Sequence, residues 1–293
     1  MRLRLPAGWA TRARDLADHK AEPAVPRDAA TVMLLRAAGS DRAAQADDRA
    51  AEAESQADGV EVFMLRRRQS MPFAPGASVF PGGSVDSRDA DREVAWAGPD
   101  ASEWAGWLGT TQELARGLLC AAIRETFEES GVLLAGRSAR DMTLPAPGDL
   151  ERDRLALLDR SLSLAEMLAR RGLVLRTDLL KPWARWITPA AEPRRYDARF
   201  FAAALPAGQR TADIRDEADQ VAWLRPADAL AAAQRREVTL MPPTAVTLDE
   251  LAACPDLAAV LAAPRQIVPL EPQVIMEDGQ AWLTLPGGRE FPI

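Results

Sequence analysis

The alternation of apolar and polar positions predicts strands and helices that follow one another along most of the chain. Short apolar runs at 29–36 and 60–66 predict two strands that pair as a hairpin. Between them, residues 38–59 are rich in Ala, Asp and Glu without apolar periodicity, which predicts a flexible loop. Later runs predict strands at 132–134, 183–188 and 198–205, and a strand ending at 224 before a helix at 226–234.

A long helix is predicted from about Thr111 to Gly131. Within it, Glu125, Glu128 and Glu129 stand at positions i, i+3 and i+4, so they share one face. The opposite face gathers the apolar residues Leu119, Cys120, Ile123 and Phe127. Because like charges repel, three carboxylates on one face indicate a ligand, and hard divalent cations prefer such oxygens. The alternative is a solvated acidic face that holds no ion.

Two further segments add to this core. The insertion at 90–109 carries Trp96, Trp104 and Trp107, and large aromatic side chains favour burial. We expect it to form a clasp packed on the parent domain or on a second subunit, and the alternative is a lid that stacks on a ligand. The segment 148–172 has leucines at turn spacing and predicts a helical insert that serves packing.

Composition narrows the class of protein. The 293 residues carry a net charge of −7, which argues against a nucleic-acid-coating surface. No apolar run reaches the ~18 residues of a membrane span, and the start lacks a secretory segment, so we expect a cytoplasmic protein without membrane partners, with a transit peptide as the alternative. Cys120 and Cys254 indicate reduced thiols. Since His19 is the only histidine, triads and zinc sites that depend on histidine are excluded.

A glycine-rich turn precedes the acidic helix and completes a recognisable pattern. Gly83 is followed after five residues by Asp89, and the helix supplies Arg124-Glu125-x2-Glu128-Glu129-x-Gly131-Val132. This pattern resembles the signature of the Nudix hydrolases, G-x5-E-x7-R-E-U-x-E-E-x-G-U, where U is aliphatic. It departs from it in three ways: Asp89 replaces Glu, Thr126 replaces an aliphatic residue, and 34 residues instead of seven separate Asp89 from Arg124. A split signature of this kind resembles the acyl-coenzyme A diphosphatase branch called nudix motif 19.

The resemblance implies an α/β (α+β) Nudix fold, in which a mixed β-sheet is sandwiched between helices (α/β/α). Residues 1–28 would form an N-terminal arm and 29–245 the Nudix domain, with the insertion inside the box. Residues 246–293 would be a C-terminal extension packed on the same domain. Its pattern predicts a helix at 247–262 and a hairpin that turns at Asp278-Gly279.

The resemblance also implies chemistry. Glu125, Glu128 and Glu129, with the main chain near Gly83, would bind Mg²⁺ or Mn²⁺ for hydrolysis of a diphosphate linkage. Either Glu125 or Glu217 would act as general base, and Arg124 would orient the carboxylates. Residues expected to contact substrate are Arg66, Arg68, Phe80, Gly82 and Arg195. For the arginines at 66–68 this rests on their charge, and the alternative is a solvated strand end.

The substrate implied by the resemblance is coenzyme A or acyl-coenzyme A, cut to 3′,5′-ADP and phosphopantetheine derivatives. ADP-ribose, NADH and other nucleoside diphosphate derivatives contain the same linkage and stay as alternatives. A second class is a Nudix-fold module that senses a nucleotide without cleaving it. The tryptophans of the insertion favour a homodimer if they are exposed.

Overall fold

The computed structural model describes residues 3–5, 7–39, 59–70, 74–90, 94–212, 218–288 and 291–292. The strands are β1 (Leu3–Arg4), β2 (Arg27–Ala37), β3 (Val60–Arg67), β4 (Ala77–Val79), β5 (Gly82–Ser84), β6 (Trp96–Ala97), β7 (Ala135–Gly136), β8 (Val174–Arg176), β9 (Lys181–Ile187), β10 (Tyr196–Ala204), β11 (Ala218–Leu224), β12 (Thr239–Leu240), β13 (Pro269–Leu270), β14 (Gln273–Glu277) and β15 (Gln280–Thr284). The α-helices are α1 (Ala7–Ala17), α2 (Ala101–Leu108), α3 (Gln112–Ser130), α4 (Pro147–Leu158), α5 (Leu164–Arg171), α6 (Pro226–Gln234), α7 (Pro242–Ala252) and α8 (Leu257–Ala262).

A mixed sheet forms the centre of the molecule. Within the described residues it has nine strands in the order β12-β4-β3-β2-β10-β9-β13, with β11 added to β3 and β5 to β2. Strand β2 lies parallel to β10 and antiparallel to β3. Leu35 faces Val62 across the β2–β3 pair, so the predicted hairpin is confirmed. Residues 40–58 of its predicted loop lie outside the described residues.

Alternate residues of β2 enter two separate hydrophobic cores. Val32 and Leu34 join the core beneath α3, whereas Met33 and Leu35 join the core that contains residues of α6, α7 and the C-terminal hairpin. This period-2 alternation places a packed layer on each face of the sheet. The predicted α/β/α sandwich is therefore confirmed, and the C-terminal extension contributes to its second core through Leu283.

Helix α3 begins and ends where the sequence predicts. The hydroxyl of Thr111 caps its start by accepting a hydrogen bond from the Leu114 amide at 3.2 Å. Gly131 ends it with a φ of 73°, a conformation that glycine adopts without strain. The four predicted apolar residues of its inner face are buried: Leu119, Cys120, Ile123 and Phe127.

Two predicted elements are wrong in their bounds. Residues 132–134 form no strand, because the side-chain amide of Gln209 bonds both the N–H and the C=O of Leu133 at 2.9 Å and replaces a neighbouring strand. The predicted helix at 247–262 is two helices, α7 and α8. Proline at position 242 starts α7 earlier, and Asp256 caps α8 after a break.

The insertion packs on its parent domain, as the clasp interpretation expects. Its helix α2 starts with a capping box between Asp100 and Glu103. Trp104 is fully buried, and its ring centroid lies 6.1 Å from that of Phe201 on β10. Of the eight tryptophans, all within the described residues, only Trp107 is exposed. The exposed aromatic surface that would favour a homodimer is therefore limited to one side chain.

The helical insert is confirmed as α4 and α5. A capping box between Ser163 and Glu166 starts α5, and Gly172 ends it. Arg154 of α4 is buried and donates a hydrogen bond of 3.0 Å to the backbone carbonyl of Glu128, which ties the insert to α3. None of the described helices combines the length and the apolar character that a membrane crossing requires.

Candidate active site

Arg124 is the centre of a buried charge network on α3. Its Nε and Nη2 donate to the two carboxylate oxygens of Asp89 at 2.9 Å each. Its Nη1 donates to Glu125 at 2.8 Å and to Glu128 at 3.1 Å, and Nη2 also donates to the carbonyl of Ser84 at 3.3 Å. All five N–H groups of the guanidinium therefore have an acceptor, which fixes its position.

The electrostatics of Arg124 follow from these contacts. Burial alone would lower its pKa. The hydrogen bonds to Asp89 and the negative charges of Glu125, Asp89 and Glu128 outweigh that effect and raise the pKa above its usual value. Arg124 is thus a permanent cation that holds three carboxylates in place.

A glycine edge lies against the acidic face of α3. Gly82 and Gly83 belong to β5, which pairs with Thr31 and Ala30 of β2. The Gly82 amide donates to a carboxylate oxygen of Glu129 at 2.8 Å. A Cβ atom on Gly83 would lie 2.2 Å from Oε1 of Glu125, so only glycine leaves room for that carboxylate.

Asp89 joins the two halves of the split pattern. It lies in a 3₁₀ turn, Ser87–Ala90, and accepts a hydrogen bond from the Asp86 amide at 2.8 Å. Its side chain is 2% exposed and forms the paired contact with Arg124. The 34-residue separation in sequence is therefore bridged by a direct contact in space.

A pocket of about 410 Å³ opens beside this network. Its wall includes Glu125 and Glu128 from α3 and Leu157 and Leu158 from the end of α4. Further charged residues of the wall are Asp86, Arg88, Arg124 and Arg160. The helical insert therefore forms one side of the pocket.

Asp86 and Arg88 form an ion pair in that wall. Nε and Nη2 of Arg88 donate to the two carboxylate oxygens of Asp86 at 3.2 Å each. These side-chain hydrogen bonds, with the backbone hydrogen bond of Arg88, lower the pKa of Asp86 to about 2. Asp86 is therefore ionised at neutral pH.

The carboxylates fit a divalent cation by their chemistry. Three of them, Asp89, Glu125 and Glu128, bond a single guanidinium, that of Arg124, so negative charge exceeds positive charge within the set. Glu129 accepts from the Gly82 amide instead. Because Gly83 has no Cβ, the carboxylate of Glu125 can lie directly against this edge of β5. Within the described residues, no three acidic, cysteine or histidine side chains surround a common point as ligands of an ion would.

Comparison with known proteins agrees with this geometry. The family model described as the NUDT19 Nudix domain matches residues 109–251. The crystal structure of a NUDIX hydrolase from Alicyclobacillus acidocaldarius superposes with a TM-score of 0.57 at 26% identity, covering 83% of this chain and 98% of that one. The chain therefore has the Nudix fold.

Two curated relatives of this chain carry the same name. It is 28% identical over 229 residues to the acyl-coenzyme A diphosphatase NUDT19 of Xenopus laevis, covering 65% of this chain and 59% of that protein. It is 29% identical over 227 residues to the human protein of the same name, covering 64% and 59%. The chain therefore spans about three-fifths of the length of these relatives.

The structure brings most of the expected Nudix box together, whereas the residues expected to contact substrate do not line the pocket. The residues that meet at the site are Gly82, Gly83, Arg124, Glu125, Glu128 and Glu129. Phe80 is 3% exposed and packs edge-on against Phe200 in the second core. Arg66 and Arg68 do not contribute to the pocket wall. Glu217 lies outside the described residues.

Arg195 bonds three acceptors within the protein. Its guanidinium is 8% exposed and donates to the carbonyls of Thr188 and Ala24 at 2.9 Å and to the carboxylate of Glu271 at 2.6 Å. These partners tie the N-terminal arm and the C-terminal extension to β10. The guanidinium is engaged there and does not line the pocket.

Sequence reasoning missed three charged residues of the pocket wall. Asp86 and Arg88 have a local signal, because an aspartate two residues before an arginine and three before a second aspartate favours a turn with side-chain to backbone bonds. Arg160 has no such signal. Its place in the pocket depends on how the helical insert packs on α3.

Proposed function

We propose that this protein is a metal-dependent hydrolase of diphosphate linkages whose substrate is coenzyme A or acyl-coenzyme A. The observation that carries the proposal is the contact of Arg124 with Asp89 on one side and with Glu125 and Glu128 on the other. This contact reassembles the two halves of the Nudix box around one pocket. The relatives named acyl-coenzyme A diphosphatase support the choice of substrate.

Glu125, Glu128 and Glu129 would hold Mg²⁺ or Mn²⁺ next to the Gly83 backbone. When bound, the ion would supply positive charge against the diphosphate and lower the pKa of a water molecule. The chain's own contribution is geometric, because Arg124 and the Gly82 amide fix the carboxylates in their rotamers before substrate arrives.

Proton transfer would fall to a carboxylate, since the chain has only one histidine, His19. Glu125 is one candidate, because its side chain is 15% exposed and it lines the pocket. Glu217 is the other candidate, from its position in the sequence. Arg124 is a positioning residue in this proposal, since all its donors are used by protein acceptors.

Glu128→Gln tests the proposal. The amide has the same shape and retains an oxygen for the hydrogen bond from Arg124, but it lacks the charge that a cation requires. We expect a drop in kcat of at least about 100-fold, the size of the loss when one preorganised electrostatic contact is removed from an active site, with little change in the unfolding midpoint. Glu113→Gln, at an exposed site in the first turn of the same helix, is the matched control.

The substrate is tested with a panel of coenzyme A, acyl-coenzyme A, ADP-ribose and NADH, each with Mg²⁺ or Mn²⁺. Separation of the products by chromatography should reveal 3′,5′-ADP from the first two. Brisk cleavage of ADP-ribose without cleavage of coenzyme A would refute the choice of substrate. A nucleotide-dependent rise in Tm without any turnover would refute catalysis and favour a sensing module.

A further inference from the structure

All but one of the charged residues of the pocket wall form ion pairs with one another. Asp86 pairs with Arg88. Arg124 bonds Glu125 and Glu128. Arg160, which lies two residues beyond the end of α4, is the sixth charged residue of the wall.

Arg160 differs from the other two arginines of the wall. Its side chain makes no hydrogen bond or ion pair with any of the described residues, whereas Arg88 and Arg124 both bond carboxylates. Arg160 is exposed while Glu128 is buried, so the pocket runs from the acidic face of α3 outward to Arg160. A guanidinium at the mouth of a pocket attracts anions and offers a planar pair of donors that matches phosphate oxygens.

The backbone of Arg160 is also unusual. Its φ is 64°, in the left-handed region where glycine is the common residue after a helix. An arginine at this position bears a conformational penalty that glycine would avoid. Such strain is concentrated at functional sites, and here it coincides with the uncompensated cation of the pocket.

We infer that Arg160 is a substrate-binding residue that contacts a phosphate group of the nucleotide. The inference rests on the proposed function, because it takes the acidic face of α3 as the place where the diphosphate is cleaved. Coenzyme A carries two kinds of phosphate, either of which is a candidate partner of Arg160: the central diphosphate and the 3′-phosphate of the ribose. The helical insert would then contribute to substrate recognition as well as to packing.

Arg160→Gly is the direct test, because it removes the guanidinium and relieves the backbone strain at the same time. Arg236→Gly is a closely matched control. Arg236 is also an exposed arginine after a helix, its φ is 62°, and it does not line the pocket. Both variants should have a Tm at least equal to that of the wild type.

The kinetic assay uses coenzyme A and dephospho-coenzyme A, which lacks the 3′-phosphate. We expect KM to rise about tenfold or more in Arg160→Gly with kcat within threefold, as for loss of a charge-assisted hydrogen bond made equally in the bound and transition states. A rise with both substrates identifies the diphosphate as the contact, and a rise with coenzyme A alone identifies the 3′-phosphate. Equal KM values in the two glycine variants for both substrates would overturn the inference.

Calorimetry separates this inference from the proposed function. If no diphosphate compound is cleaved, the proposed function fails, but the Kd of coenzyme A, which carries both candidate phosphates, can still be measured for the same variants. A Kd at least about tenfold weaker in Arg160→Gly than in Arg236→Gly would support a phosphate contact at Arg160. Identical Kd values would refute it.

Discussion

Replacing Gly83 by alanine should separate the chemistry of the site from the stability of the fold. The added Cβ would lie 2.2 Å from Oε1 and 2.5 Å from Cδ of Glu125. Ordinary contacts between heavy atoms are about 3.5 Å or longer, so the carboxylate has to move by roughly 1 Å or more. That movement pulls Glu125 away from the position that Arg124 gives it.

The magnitude of the effect follows from which atoms are displaced. The clash involves the end of a flexible side chain, so we expect a loss of stability of about 1 kcal/mol, at the lower end for overpacking. A displacement of about 1 Å in a group that positions the reaction can lower the rate by about 100-fold. With coenzyme A, the proposed substrate, we therefore expect kcat to fall about 100-fold in a protein that is still folded.

Two other glycines provide controls. A Cβ on Gly82 would meet the backbone carbonyl of Ala30 at 2.5 Å, and backbone cannot move aside, so Gly82→Ala should destabilise the fold itself. A Cβ on Gly106 of α2 would meet nothing within 4 Å. Gly106→Ala should therefore keep full activity and gain up to about 1 kcal/mol from helix propensity.

Urea unfolding followed by tryptophan fluorescence gives the free energy of unfolding for each variant, and product formation under saturating coenzyme A gives kcat. The reasoning would be refuted if Gly83→Ala turned over within threefold of the wild-type rate. It would also be refuted if the free energy of unfolding fell as much in Gly83→Ala as in Gly82→Ala.

Three further predictions concern stability. Arg124→Lys removes the paired contact with buried Asp89, and urea unfolding should show a loss of about 3 kcal/mol, as for a broken buried ion pair. Arg88 holds the pKa of Asp86 below its ordinary value, at about 2, so this pair stabilises the fold above about pH 4 and stops doing so as the pH falls through 2. Because both side chains are partly exposed, Asp86→Asn should lower stability by only about 1 kcal/mol at pH 6 and by less at pH 2. Trp104→Ala should lose about 3–5 kcal/mol, since the indole is fully buried.

Each of these predictions has its own counter-result. Full stability of Arg124→Lys would show that a lysine can satisfy the buried aspartate. A constant difference between wild type and Asp86→Asn from pH 6 to pH 2 would show that ionisation of Asp86 is not the origin of its effect. Trp107, which is 46% exposed beside Trp104, serves as the comparison for the last prediction. An equal loss in Trp104→Ala and Trp107→Ala would contradict the assigned burial.

Local signals in the sequence were sufficient for the helix that carries the acidic face. Thr111 supplies a capping hydroxyl, Gly131 supplies the left-handed turn, and the spacing of Glu125 and Glu128 places both on one side. Each of these features depends on residues within four positions of one another. The same holds for the hairpin at Asp278, where φ is positive at both turn residues.

Contacts between distant segments explain what the sequence could not predict. Residues 132–134 have the composition of a strand, but the side chain of Gln209 occupies their backbone hydrogen bonds. Arg195 has the charge of a phosphate ligand, but its acceptors include Ala24 and Glu271, which are far away in the chain. Charge and propensity are local properties, whereas the partner that satisfies a buried group is decided by the packing of the whole fold.

The insertion inside the box is tolerated for an energetic reason. Lengthening a flexible connection from seven to 34 residues adds about 1.4 kcal/mol of closure entropy, since that term grows only with the logarithm of length. Burial of Trp104 against Phe201 contributes about 3–5 kcal/mol by comparison with truncations of buried tryptophans. The inserted helix therefore offsets its own entropic penalty, and the contact of Asp89 with Arg124 forms despite the insertion. In a Trp104→Ala variant that still folds, the flexible connection between Asp89 and Arg124 becomes longer, so their contact is weakened only through the entropy of that connection. We therefore expect kcat to equal that of the wild type.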